Sequence, residues 1–174
     1  MKIVSSEVRY KTPIFWLTED RAVDRQGREL HRIIVRHQGS AVMMALDSRQ
    51  RILLVRQYRL AADRELWELP AGRLDPGETP LQAAKRELRE ETGYAARRWR
   101  KLISFYPSPG YVQEKMTVFL AEDLTAGPAQ PMEDESITSR WFTAKEVGQA
   151  IRAGRIVDGK TIAGFLAWRH YGPR

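Results

Sequence analysis

Four glutamates, Glu78, Glu87, Glu90 and Glu91, fall within the stretch "GRLDPGETPLQAAKRELREETGY" from Gly72 to Tyr94. At about 100° per residue, Glu87, Glu90 and Glu91 occupy an arc of roughly 100° on one helix face. Carboxylates that close repel one another, and a helix has no need of them there. Arg86 stands one turn before Glu90 and can neutralise one of them, which leaves the cluster net negative. A hard divalent cation, Mg2+ or Mn2+, held by these carboxylates together with water and phosphate oxygens, would offset the repulsion. A solvated, charge-laced helix face is the plainer reading of such a run.

The full spacing favours the metal. It reads G-x5-E-x7-R-E-U-x-E-E-x-G with U a bulky aliphatic residue, filled by Gly72, Glu78, Arg86, Glu87, Leu88, Glu90, Glu91 and Gly93. At ordinary residue frequencies its chance occurrence is on the order of 10⁻⁹ per starting point. The rest of the composition agrees with oxygen ligation. The chain has no cysteine, so no disulfide or thiolate site, and its three histidines, His31, His37 and His170, lack any metal-ligand spacing. A net charge of +7 draws anions in general. The basic residues are dispersed and follow no helix-turn-helix or zinc-finger spacing, so an anionic small molecule is expected rather than nucleic acid.

Those residues need elements to position them. With 174 residues the chain can bury a core and is expected to form a single domain over residues 1–174. Ile14–Val23, Leu30–Arg36, Ala41–Leu46 and Arg51–Gln57 read as strands, with turns at Asp24–Glu29 and Asp47–Gln50 that suggest hairpins. Leu66–Gly72 reads as a further strand stopped by Pro70 and Gly72. "DPGE", Asp75–Glu78, fits a type II turn. Thr79 and Gln82 form a capping box, Pro80 suits the first helical position, and Gly93 closes the helix as a left-handed cap. Strands follow at Leu102–Tyr106, Met116–Ala121 and Ser139–Phe142, with a loop at Thr125–Ser136. Thr143 and Glu146 cap a second helix ending near Gly154, and a third runs from about Lys160 to Tyr171. The pattern is α/β in the mixed (α+β) sense, a mixed sheet flanked by helices. Met1–Tyr10 has no apolar core of signal-peptide length and no run reaches membrane-span length, so a cytoplasmic protein without a membrane partner is expected.

Over the Gly72–Gly93 spacing, called the box below, the sequence resembles the Nudix hydrolases, metal-dependent enzymes that cleave nucleoside diphosphates linked to another group. Tyr94 departs from the general pattern, which has an aliphatic residue there and should face the core. The resemblance implies a Nudix-type α/β/α sandwich, with Glu87, Glu90 and Glu91 as metal ligands, the Ala71 carbonyl as a further ligand, and Glu78 and Arg86 supporting that shell. "LLVRQYR" (Leu53–Arg59), "ELPAG" (Glu68–Gly72), "FYPSPGYVQEK" (Phe105–Lys115, with Pro109) and "EDESI" (Glu133–Ile137) resemble the ADP-ribose pyrophosphatase branch.

That resemblance implies hydrolysis of ADP-ribose to AMP and ribose 5-phosphate; ADP-glucose or GDP-mannose, and a non-catalytic ligand-binding module, are the alternatives. Arg56 and Arg59 offer forked donors for diphosphate oxygens. Glu68 and Glu114 can accept hydrogen bonds from ribose hydroxyls. Phe15 and Trp16 lie near where the branch supplies an aromatic to stack on adenine. The branch carries a catalytic glutamate in the loop after the last long strand, which points to Glu133 or Glu135, Glu135 being preferred, with Glu90 the next candidate for the base. Residues 1–37, an N-terminal antiparallel strand extension, are expected to build the surface of a homodimer.

Overall fold

The structure, a computed structural model, describes residues 1–128 and 137–172. Along the chain run β1 (Lys2–Lys11), β2 (Trp16–Val23), β3 (Glu29–Arg36), β4 (Ser40–Ala45), β5 (Ile52–Arg59), β6 (Arg64–Glu68), β7 (Ala71–Arg73), α1 (Pro80–Thr92), β8 (Tyr94–Phe105), β9 (Met116–Ala126), β10 (Thr138–Phe142), α2 (Ala144–Arg152) and α3 (Gly159–Tyr171). They form three sheets. One is the N-terminal β1-β2-β3; the second is β7-β4-β9-β8, mixed, with β4 parallel to β9; the third is β10-β5-β6. Among the described residues no helix is long and apolar enough to cross a membrane.

β4 is the spine, and all six of its residues are buried. Side chains alternate along a strand, so its two faces serve two different cores. Ala41, Met43 and Ala45, joined by Phe119 and Ala121 of β9, meet Ala83, Ala84 and Leu88 of α1. Val42 and Met44, joined by Val118 and Leu120, meet Phe165 of α3 and Val147 of α2. Helix, sheet, helix is therefore the layering that carries the box, and the expected α/β/α sandwich with its antiparallel N-terminal extension is what the chain forms.

The box helix is set by its ends. Gly77 takes φ +82° in the turn and Glu78 N–H donates to Asp75 O at 3.0 Å, as the type II reading requires. Thr79 N–H donates to Gln82 Oε1 at 2.9 Å while Thr79 Oγ accepts from Gln82 N–H at 3.3 Å, the reciprocal capping box. Gly93, at φ +74°, returns its N–H to Arg89 O at 2.8 Å. Each such cap is worth about 1 kcal/mol. Together they fix the helix register, and with it the face on which the three glutamates stand.

Four expectations change. Leu66–Gly72 is two strands in different sheets: β6 pairs with β5 and β7 with β4, and the chain crosses between them at Leu69-Pro70. Pro70 has no N–H for a ladder, but its carbonyl accepts from Met43 N–H at 2.8 Å. Asp47–Gln50 reverses the chain without making a hairpin, since β4 and β5 share only the bridge Leu46–Ile52. β8 starts directly after Gly93, eight residues before Leu102, and pairs along almost all of a β9 that extends to Ala126. β1 is an extra N-terminal strand that lies exposed along nearly its whole length, so no inward-facing stripe marks it in the sequence.

Candidate active site

Arg86 is the hub of the box. Its Nε and Nη2 donate to the two carboxylate oxygens of Glu78 at 3.1 and 2.9 Å, and Nη2 also reaches Arg73 O at 3.0 Å. Its Nη1 bridges Glu87 Oε1 at 2.7 Å and Glu90 Oε2 at 3.0 Å. Glu78 also accepts from Asp75 N–H at 3.0 Å, tying the turn to the hub. Hydrogen bonding from Arg86 holds the Glu78 carboxyl below its ordinary range, and the same bond to Glu78 drives Arg86 further up. The helix thus neutralises part of its own acidic face.

Gly72 is the second requirement. An ideal Cβ built on it would lie 1.8 Å from Glu87 Cδ and 2.0 Å from Oε1, so the Glu87 carboxylate occupies the volume that any other residue would fill. Glu91, 7% exposed, lies on the inner side of α1, where its Oε2 accepts from Ala71 N–H at 3.3 Å. Ala71, Gly72, Glu87, Glu90 and Glu91 then line one cleft of about 400 Å³ with Arg59, Arg73, Asp75, Arg86 and Ile14.

Among the described residues, no three His, Cys, Asp or Glu side chains stand in a metal-holding arrangement as they are. Arg86 lies between Glu87 and Glu90 and supplies the positive charge. The donor set in the cleft is nonetheless all oxygen, which suits magnesium or manganese, and the cradle at Gly72 keeps Glu87 close to Ala71.

The other expected residues are distributed unevenly. Arg59 lines the cleft. Glu68, next to it, is 1% exposed, with both oxygens taken by Arg59 and one also by Lys160, so it has no open edge for a ribose hydroxyl and instead holds Arg59. Burial, the largest single influence, pushes the Glu68 carboxyl up, yet hydrogen bonds from Arg59 and Lys160 and their charges outweigh it and hold it below the usual range. Arg56 is paired with exposed Glu65 and stacks 6.0 Å from the Trp67 ring centroid, away from the cleft lining. Glu114 accepts from Ser40 Oγ at the start of β4 and lies 3.8 Å from His37 Nδ1, and it does not line the cleft. Trp16 lines a neighbouring hollow that shares Ile14 and Arg73 with the cleft; Phe15 accepts from Thr12 Oγ through its carbonyl. Glu133 and Glu135 lie outside the described residues.

Sequence reasoning missed Ile14, Arg73 and Lys160. Arg73 Nη1 donates to Pro13 O at 2.6 Å and so pins the β1–β2 loop, with Ile14 at its tip, over the box. No local pattern announces that contact between residues 60 apart. A larger hollow of about 540 Å³ lies by Tyr94 and Trp141, whose rings meet edge to face at 5.5 Å. It contains no box glutamate, and its cations are already paired, Arg51 with Asp47 and Arg98 with Asp123, each at 2.7 Å.

The NUDIX domain family model matches residues 35–165. Over 167 residues the chain is 38% identical to an ADP-ribose pyrophosphatase of Mycobacterium tuberculosis, spanning 94% of this chain and 81% of that protein. It is also 32% identical over 144 residues to a GDP-mannose pyrophosphatase of an Enterobacter species, spanning 78% of this chain and 75% of that one. A crystal structure of an ADP compounds hydrolase matches in fold with a TM-score of 0.80 at 20% identity, covering 98% of this chain and 94% of that one. With the family model covering most of the chain and the box glutamates gathered in one cleft, the chain belongs to the NUDIX family and is a hydrolase of nucleoside diphosphates joined to a further group.

Proposed function

We propose that the substrate is ADP-ribose, cleaved at its diphosphate to AMP and ribose 5-phosphate. The observation that carries the reading is the cleft itself, where Arg59 and three box glutamates, Glu87, Glu90 and Glu91, line one space of about 400 Å³. Similarity to the mycobacterial ADP-ribose pyrophosphatase over nearly the whole chain supports the choice of ADP-ribose. Similarity to the GDP-mannose pyrophosphatase supports a second reading, another nucleoside diphosphate sugar.

In this account Glu87, Glu90, Glu91 and the Ala71 carbonyl would hold magnesium or manganese. A divalent ion there supplies neutralisation of the diphosphate and a lowered pKa for bound water. The chain's own residues do the rest. Arg59 binds and orients a diphosphate oxygen, Arg86 and Glu78 hold Glu87 and Glu90 in register, and Ile14 walls one side of the cleft against water. Water adds to phosphorus, the bridging P–O bond breaks, and a carboxylate outside the metal set takes the water's proton. Glu135 or Glu133 is our assignment for that base; should neither serve, the base would come from the box itself, with Glu90 the next candidate. We assign a homodimer as well; the support is that β1 leaves Ile3, Val4, Val8 and Tyr10 exposed.

The test is kcat/KM for ADP-ribose, ADP-glucose and GDP-mannose under one magnesium concentration. ADP-ribose is expected to lead by at least about tenfold, a difference of roughly 1.4 kcal/mol in transition-state stabilisation. A higher value for GDP-mannose would transfer the assignment to the second reading.

A further inference from the structure

Arg59 is held from behind. Its Nε donates to Glu68 Oε1 at 2.9 Å and its Nη2 to Glu68 Oε2 at 2.7 Å, a bidentate pair. On the far side of Glu68, Lys160 donates to the same Oε2, and also to Asp158 Oδ1 at 3.0 Å. Asp158 caps α3, its Oδ2 accepting from Thr161 N–H at 2.9 Å and from Thr161 Oγ at 2.6 Å. Thr161 Oγ then accepts from Leu69 N–H at 2.7 Å, the residue next to Glu68. The network closes on itself, tying the end of β6 to the start of α3.

Its members differ in exposure in a telling way. The Glu68 and Lys160 side chains are 1% and 9% exposed, whereas Arg59 is 41% exposed and lines the cleft. Lys160 does not line the cleft, and its ion pairs are with Glu68 and Asp158. A carboxylate as buried as Glu68 needs compensating charge. Were Arg59 its only partner, that arginine's charge would be committed to Glu68 and an incoming anion would compete for it. With Lys160 sharing the carboxylate, Arg59 keeps a fixed fork and three of its five N–H donors unassigned among the described residues.

We propose that Lys160 is a positioning residue for substrate: it anchors Glu68, and Glu68 aims the Arg59 guanidinium into the cleft for a diphosphate oxygen. The inference rests on the reading of the cleft as a diphosphate site. It assigns to the N-terminus of α3 a part in binding that touches no substrate atom.

The experiment compares wild type, Lys160→Met, Lys160→Arg, Arg59→Ala and the Arg59→Ala/Lys160→Met double variant. Two readouts are taken: KM and kcat for whichever nucleoside diphosphate sugar the wild type cleaves best, and the Kd of inorganic pyrophosphate by calorimetry. Lys160→Met should raise KM and the pyrophosphate Kd about tenfold with kcat within about threefold, and Lys160→Arg should restore most of the loss. In the double variant, Lys160→Met should add nothing to Arg59→Ala, because both act through one guanidinium. Lys160→Met leaves Glu68 buried with one partner fewer, so Glu68→Gln/Lys160→Met, which removes both charges, serves if the single variant does not fold, and it should show the same rise in KM. A Lys160→Met protein with a lower thermal midpoint but unchanged KM and pyrophosphate affinity would overturn the proposal, as would additive effects in the double variant. If the wild type cleaves no ADP-ribose, the substrate reading fails on its own, and the pyrophosphate titration still decides the role of Lys160.

Discussion

Gly72→Ala isolates the geometry of the box from its chemistry. The added methyl would fall 1.8 Å from Glu87 Cδ, against the 3.5–4.0 Å at which carbon atoms rest in contact. Glu87's carboxylate must therefore retreat by about 1.7–2.2 Å. The group that yields is the end of a flexible side chain, and Gly72 sits in an ordinary strand conformation where alanine is tolerated, so the fold should lose little. Activity should suffer far more, since a displacement of about 1 Å in a catalytic group can cost roughly a hundredfold. The expected result is a fall of about a hundredfold in kcat with the thermal midpoint within about 4 °C of wild type, the shift that about 1 kcal/mol gives in a chain of this size. Steady-state kinetics and a thermal melt on the same preparation measure both. Glu87→Ala serves as the background: on it, Gly72→Ala should change kcat by no more than about twofold, because the carboxylate it would displace is gone. Gly72→Ala with kcat within threefold of wild type would refute the reasoning, and so would a large additional loss on the Glu87→Ala background.

Glu91→Gln keeps the shape of a nearly buried side chain and removes its charge, so kcat should fall about a hundredfold or more and excess chelator should abolish wild-type activity; activity undiminished in chelator would remove the metal from the account. Glu135→Gln, or Glu133→Gln, should cut kcat while leaving the activating magnesium concentration unchanged, and near wild-type kcat in both singles and the double would move the base to Glu90. Acid should loosen the N-terminal sheet through Asp20. Burial raises this carboxyl, but bonds from Ser6, Thr18 and Arg36 outweigh it and hold it below the ordinary value, so its stabilisation is complete above about pH 4 and is lost as pH falls through the lowered folded value. Asp20→Asn should already lack that contribution at pH 7, about 1–3 kcal/mol for a buried charge-assisted network, and its thermal midpoint should then change less than that of wild type between pH 5 and pH 3; parallel curves would count against the assignment.

What the sequence made legible was local. The turn at Gly77, the caps at Thr79 and Thr143 and the left-handed Gly93 depend on neighbours within four residues, and each sits where its residue types require. The common face of Glu87, Glu90 and Glu91 follows from helix geometry once those ends are fixed. What escaped was decided by distant partners. The segment Ala95–Lys101 carries two alanines and four basic residues, poor strand formers, and is a strand because β9 pairs with it. Glu68 looks like a ribose acceptor from its place in the "ELPAG" stretch, but whether its oxygens are open depends on Lys160, 92 residues on. The contact of Arg73 with Pro13 is equally invisible locally, and it brings Ile14 to the cleft. Sites built from one helix can be read from a sequence; the shell that aims them is a property of the packed sheet.

The central claim is that this cleft hydrolyses a diphosphate linkage, with ADP-ribose as the substrate. The most direct measurement is mass identification of the products formed from ADP-ribose by the purified protein with magnesium, alongside Glu91→Gln. The account requires AMP and ribose 5-phosphate in equal amounts from the wild type and about a hundredfold less of both from the variant. Intact ADP-ribose, products from a bond other than the diphosphate, or equal turnover by Glu91→Gln would contradict it.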